Sequence, residues 1–161
     1  KQNGWFGNFA CSISYEGLAW ITGAALLSST LSPSHPSLMF AGLYSIGAHG
    51  IMTLNDFKAI DGDKKMGVRS LPVQLGPAMA AKVACFIMIL PQIIVVAYLM
   101  SVDRFNYGMV IGALILGQLA LMKYFVEKPI ERALFYSGFG VPLFVSGMMV
   151  AAFGIRDIGG F

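Results

Sequence analysis

Residues 55–76 read NDFKAIDGDKKMGVRSLPVQLG, the one extended charged island in a chain of 161 residues that is 57% hydrophobic and only 12% charged. A mean hydropathy of +0.71 lies far outside the range of water-soluble domains, so the island marks where an apolar chain meets water. It sets Asp56, Asp61 and Asp63 among Lys58, Lys64, Lys65 and Arg69. Oxygen ligands beside cations suit a hard metal ion holding an anionic group, with the cations taking up the remaining negative charge.

On either side of the island the chain falls into apolar runs near the ~20 residues that a membrane-spanning helix needs. They cover 9–28, 37–54, 78–101, 107–126 and 134–153. This pattern predicts an all-α, polytopic transmembrane helix bundle of about five spans. Residues 1–161 read as a single membrane domain, with 55–77 as a cap on one of its faces. The first run starts late, carries Glu16 and lacks a small-residue cleavage site, so it reads as a retained span and not a removable signal peptide. Cys11 and Cys85 both fall inside spans and read as packing residues, too few for a disulfide framework.

Charge orients the bundle, because Lys and Arg accumulate on the cytoplasmic side of a membrane. With alternating spans, Lys1, Lys58, Lys64, Lys65, Arg69, Lys82, Lys123, Lys128 and Arg132 share one side, and Arg104 and Arg156 the other. The cap is therefore expected on the cytoplasmic face of the cell inner membrane. No basic face on a soluble module is present, which excludes nucleic acid as a partner and leaves the lipid bilayer.

The connections differ in kind. Residues 29–36, with a solvated His35, and 102–106 read as tight exterior turns. The stretch after Leu54 is too long for a passive connector, and Leu71, Pro72, Val73 and Leu75 predict a partly helical cap closing at Gly76 and Pro77. Pro91 and Pro142, inside spans, predict bends that leave room for a cavity. Gly108, Gly112, Gly117, Gly138, Gly140 and Gly147 read as close helix contacts, and Gln92 and Gln118 as interhelical hydrogen-bond partners.

On a regular helix Asp56 and Asp63 share a face, while Asp61 points roughly 140° of arc away from Asp56. A continuous helix cannot gather all three. Gly62 has backbone freedom to turn the two carboxylates beside it inward. Magnesium is commonly held by one or two carboxylates plus phosphate oxygens and waters, so a sparse acidic set suffices when a diphosphate completes the shell. Asn55 can add an amide oxygen or a hydrogen bond.

The same residues resemble the second aspartate-rich motif of the UbiA-type intramembrane prenyltransferases. The run NDFK, an acidic residue, Gly, Asp and then SLPV is most similar to the chlorophyll and bacteriochlorophyll synthases. The ending GVRSLPVQLG and the early segment KQNGWFGNFACSISYEGLAW look closer to the bacteriochlorophyll enzymes. That resemblance implies the later part of a nine-helix bundle in which two aspartate motifs face each other across a central cavity. The first motif, Asn-x3-Asp-x3-Asp, is absent from these residues, which implies a missing N-terminal half and an inactive piece on its own. Asp56, Asp61 and Asp63 are then expected to be catalytic as ligands of Mg2+, with Asn55, Lys58, Lys64 and Arg69 binding diphosphate. Relatives often carry Asp where this chain has Ala59 and Glu where it has Asp61.

The activity implied is esterification of the propionate of bacteriochlorophyllide by geranylgeranyl or phytyl diphosphate. Glu16 and His49 lie at similar expected depths in their spans, where ionisable groups are functional candidates. Tyr15, Glu16 and His49 are accordingly expected at the acceptor. His49 reads either as a hydrogen-bonded interior histidine or as a ligand to the pigment's central metal. Rival readings are a chlorophyllide, quinone-precursor or haem acceptor in the same superfamily, half of a cation transporter, and a non-catalytic pigment-binding assembly protein. A transporter would concentrate paired charge near the midplane, whereas here the acid lies at one face.

Overall fold

The computed structural model describes residues 3–28, 31–156 and 158, so Lys1 lies outside the described residues. The described chain is helical throughout its length apart from short turns. The first segment comprises α1 (Gly4–Ser12), a π-helical stretch (Ile13–Gly17) and α2 (Leu18–Leu27). It is followed by α3 (His35–Asp56), two short helices α4 (Ile60–Lys65) and α5 (Leu71–Leu75), and the long α6 (Pro77–Ser101), α7 (Phe105–Glu127) and α8 (Pro129–Ile155).

Among the described residues four helices, α3, α6, α7 and α8, are each long and apolar enough to cross a bilayer. The fifth expected span, 9–28, differs: the helical run starts earlier, at Gly4, and is broken into three pieces by the π stretch. The pattern of burial gives the reason. The buried residues Gly4, Asn8 and Ser12 recur every fourth position, but the next, Gly17, comes five later, followed by Ala24 and Ser28. One wide turn keeps this stripe of small residues against α3 instead of letting it drift round the helix. Ser12 and Ser14 hydroxyls donate to the Phe9 and Ala10 carbonyls, both at 2.9 Å, beside that wide turn.

Helix α3 is the most enclosed of the long helices and packs on α1, the π stretch, α6 and α8. Helices in lipid associate by close packing, not by escape from water. Close approaches occur at Gly47, where a Cβ would lie 2.6 Å from the Phe144 ring, and Gly50, where it would lie 2.6 Å from the Ala84 carbonyl oxygen. Of the glycines expected to mediate contacts, Gly108, Gly117 and Gly147 do face neighbouring helices. Gly112 and Gly138 face open space, and Gly140 lies against the ring of Tyr136 in its own helix.

Gln92 and Gln118 are fully buried and exchange amide hydrogen bonds of 3.1 and 2.9 Å between α6 and α7. α6 and α8 run as single helices through Pro91 and Pro142. Cys11 and Cys85 are free thiols, each half-buried.

The alternating helix directions bring the start of α1, the end of α3, α4, α5, the start of α6 and the α7–α8 turn to one end of the bundle. Lys58, Lys64, Lys65, Arg69, Lys82, Lys123, Lys128 and Arg132 all lie at that end.

Candidate functional site

The charged island divides into a turn, α4, a second turn and α5, and each piece is anchored from below. Phe57, just past α3, is 3% exposed and meets Phe125 of α7 edge-on at 5.6 Å. Phe125 in turn stacks on Tyr136 of α8 at 5.3 Å. Ile60 and Leu71 are buried as well. The far end is tied to α1: Gly4 N–H donates to the Arg69 carbonyl at 2.7 Å, and a Cβ on Gly4 would stand 2.6 Å from the Leu71 nitrogen. Gly76, at φ 76°, takes the left-handed conformation that glycine favours and delivers Pro77 as an opening residue of α6.

Asp56 occupies the last turn of α3 and is only 5% exposed. The Asn8 side-chain amide reaches across from α1 and donates to Asp56 Oδ2 at 2.9 Å, with Thr53 Oγ1 at 3.3 Å from the same nitrogen. Thr53 donates to the His49 carbonyl at 2.9 Å. His49 Nε2 lies 3.2 Å from the Trp5 carbonyl oxygen, which can only accept, so this nitrogen carries the proton. His49, Thr53 and Asp56, four and three positions apart, thus form one face of α3 that is hydrogen-bonded along α1.

Asp61 and Asp63 behave differently. The amide of Asp63 donates to the Ala59 carbonyl at 2.7 Å and that of Met66 to Gly62 at 3.0 Å, so the stretch is a helix and Gly62 is a helical residue, not the turn foreseen for it. The left-handed turn comes later, at Gly67 with φ 68°. Residues two apart on a helix diverge by roughly 200°; Asp61 is exposed while Asp63 is half-buried. Among the described residues no three of His, Cys, Asp and Glu are grouped to hold one ion. Asn55, Lys58, Lys64 and Arg69 are exposed around the cap.

The acceptor candidates also separate. A cavity of about 270 Å³ beside His49 is walled by Trp5, Phe6, Phe9, Ile46 and Ile87. Tyr15 and Glu16 are not among its walls. They sit on the π stretch, where Gly17 abuts Ser45, one turn or roughly 6 Å of rise beyond His49. Tyr15 is exposed and Glu16 half-buried. The expected common depth of Glu16 and His49 is thus off by a turn, because the span begins earlier and carries an extra residue.

Asn8 and Thr53 were not singled out by sequence reasoning. Their signal was there: an Asn at the edge of an apolar run, and a Thr three positions before an Asp on one helical face.

The described residues thus form a bundle of long apolar helices with a cationic, acid-bearing segment at one end and the buried carboxylate of Asp56 beneath it. The chain belongs to the UbiA prenyltransferase family, whose model matches residues 1–139. It is 47% identical over 158 residues to the bacteriochlorophyll synthase 33 kDa chain of Rhodobacter capsulatus, covering 97% of this chain and 52% of that protein. Against the corresponding Cereibacter sphaeroides chain it is 49% identical over 158 residues, covering 98% and 52%. The chloroplastic chlorophyll synthase of Avena sativa is 39% identical over 153 residues, covering 94% and 40%. The chain therefore spans about half the length of these relatives. No solved structure matches it.

Proposed function

We propose that this chain is the diphosphate-holding part of an enzyme that esterifies the propionate of bacteriochlorophyllide a with geranylgeranyl or phytyl diphosphate, releasing diphosphate. The observation that carries the reading is the buried, amide-held Asp56 beneath a cationic cap, in a chain 47–49% identical to two bacteriochlorophyll synthases. The lower identity to a chlorophyll synthase, 39%, favours the bacterial pigment as acceptor.

In this reaction a propionate oxygen forms the new bond to the allylic C1. The bond from C1 to the diphosphate oxygen breaks and its electrons leave with diphosphate. The carboxylic acid, with a pKa of ~4, is already ionised at neutral pH, so no strong base is needed. The barrier lies in charge separation, which fixed charges and a dry cavity lower.

The all-oxygen donors Asp56 and Asp63, the more buried of the three carboxylates, fit Mg2+, which takes one or two carboxylates and fills its shell with waters and phosphate oxygens. Asp61 is the outer member of the set. Further ligands would come from the part of the protein beyond this chain, where the resemblance expects the first aspartate motif. When bound, the ion neutralises charge developing on the departing diphosphate. Lys58, Lys64 and Arg69 take phosphate oxygens from the cap side, and Asn55 adds an amide at the end of α3.

The aromatic walls around His49 suit a flat macrocycle, with Tyr15 and Glu16 a turn deeper at its periphery. Eight cations at the cap end against Arg104 and Arg156 at the other support a cap on the cytoplasmic face of the inner membrane.

The test is transfer of labelled geranylgeranyl diphosphate by the complete protein to bacteriochlorophyllide a, chlorophyllide a, a quinone precursor or haem. Bacteriochlorophyllide should be esterified at least about tenfold faster than the others, a difference of ~1.4 kcal/mol in the barrier. Preferred transfer to the quinone precursor or to haem would overturn the reading.

A further inference from the structure

We infer that Asn8 is a positioning residue for the metal and diphosphate site, acting through Asp56. The inference rests on the proposed role of Asp56. Asn8 is fully buried in α1, on a different helix and 48 positions earlier in the chain. Its Nδ2 donates to Asp56 Oδ2 at 2.9 Å and lies 3.3 Å from Thr53 Oγ1. A charge-assisted donor aimed at one carboxylate oxygen fixes the rotamer of that carboxylate.

Asn8 itself has a second observation in its favour. Its own Oδ1 is buried and has no hydrogen-bond partner among the described residues. Buried acceptors are rarely left alone, and each exception calls for a ligand or water. Beside a carboxylate that holds a hydrated ion, an amide oxygen accepts from ion-bound water. The hold is rigid, because the start of α1 is pinned to the cap by the Gly4–Arg69 hydrogen bond and by Gly4 against Leu71. The wide π turn keeps Asn8 and Gly17 on the same face, so Asn8 stays aimed at α3 while α2 also packs on it.

The test uses the complete protein with Asn8→Leu, of similar size but without donor or acceptor, and Asn8→Ser, whose hydroxyl and one water can replace part of the donor. Mn2+ binding is read by electron paramagnetic resonance in the presence of inorganic diphosphate, alongside the metal-free melting temperature and the KM for the tetrapyrrole. Loss of the group that orients a ligand typically weakens metal affinity 10–100-fold. Asn8→Leu should weaken Mn2+ binding by about that factor, Asn8→Ser by less, with the acceptor KM within twofold of the parent.

Mn2+ binding within twofold of the parent in Asn8→Leu would overturn the inference, as would failure of both variants to insert and fold, which would assign Asn8 to folding alone. Asp56→Asn separates this from the underlying reading. If Asp56→Asn also binds Mn2+ normally, the metal role of Asp56 fails. If it loses Mn2+ while Asn8→Leu does not, only the role of Asn8 fails.

Discussion

Asn8 of α1 and Asp56 of α3 are joined by a buried hydrogen bond of 2.9 Å across two helices. The bond sits where the bundle meets its charged cap, so the cap's first carboxylate is oriented from within the bundle and not by solvent. This distinguishes Asp56 from the two acids that follow it.

The three carboxylates should therefore contribute unequally. In the complete protein Asp56→Asn and Asp63→Asn should each lower turnover by about 10² or more, the scale of removing one stabilising group from a charge-separating transition state. Asp61→Asn should lose less than about tenfold, since it faces solvent. Steady-state kinetics with saturating magnesium checks this ranking. Equal losses at all three positions would mean that α4 rearranges when substrate binds.

Phe57 should hold the cap down. Removing a buried Phe side chain costs ~3–5 kcal/mol in well-packed cores, and here it removes the edge-on contact with Phe125. Phe57→Ala is expected to loosen the cap without unfolding α6, α7 and α8. Limited trypsin digestion of membrane vesicles exposing the cap should then cut at Lys58, Lys64 or Lys65 at least about tenfold faster. An unchanged rate would show that Leu71 and the Gly4–Arg69 bond suffice.

Much of the fold was legible because hydropathy and punctuation agree in the later half: α6 begins at the Gly76–Pro77 break and ends at Ser101 as the apolar run does. The Gln92–Gln118 pair was legible too, because two buried amides in lipid satisfy each other. The π stretch was not. One extra residue leaves an apolar run looking unbroken, and only the spacing of Ser12 and Gly17 against α3 reveals it. At the site, the sequence placed Asp56, Asp61 and Asp63 in one segment but could not show how they point. Local helix bonds from Ala59 and Gly62 won over the turn that Gly62 permits. Asn8 was hidden because its partner is far along the chain, and distant pairing on facing helices leaves no local pattern.

The central claim is that an acid set at the cap holds a divalent ion on which diphosphate departure depends. The direct measurement is a single turnover of the complete protein with labelled geranylgeranyl diphosphate and bacteriochlorophyllide a, first after exhaustive chelation and then with Mg2+ restored. The account predicts that ester formation falls by about 10² or more without the ion, consistent with the several kcal/mol such an ion supplies, and returns on adding Mg2+. Ester formed at the same rate in the chelated protein would contradict it.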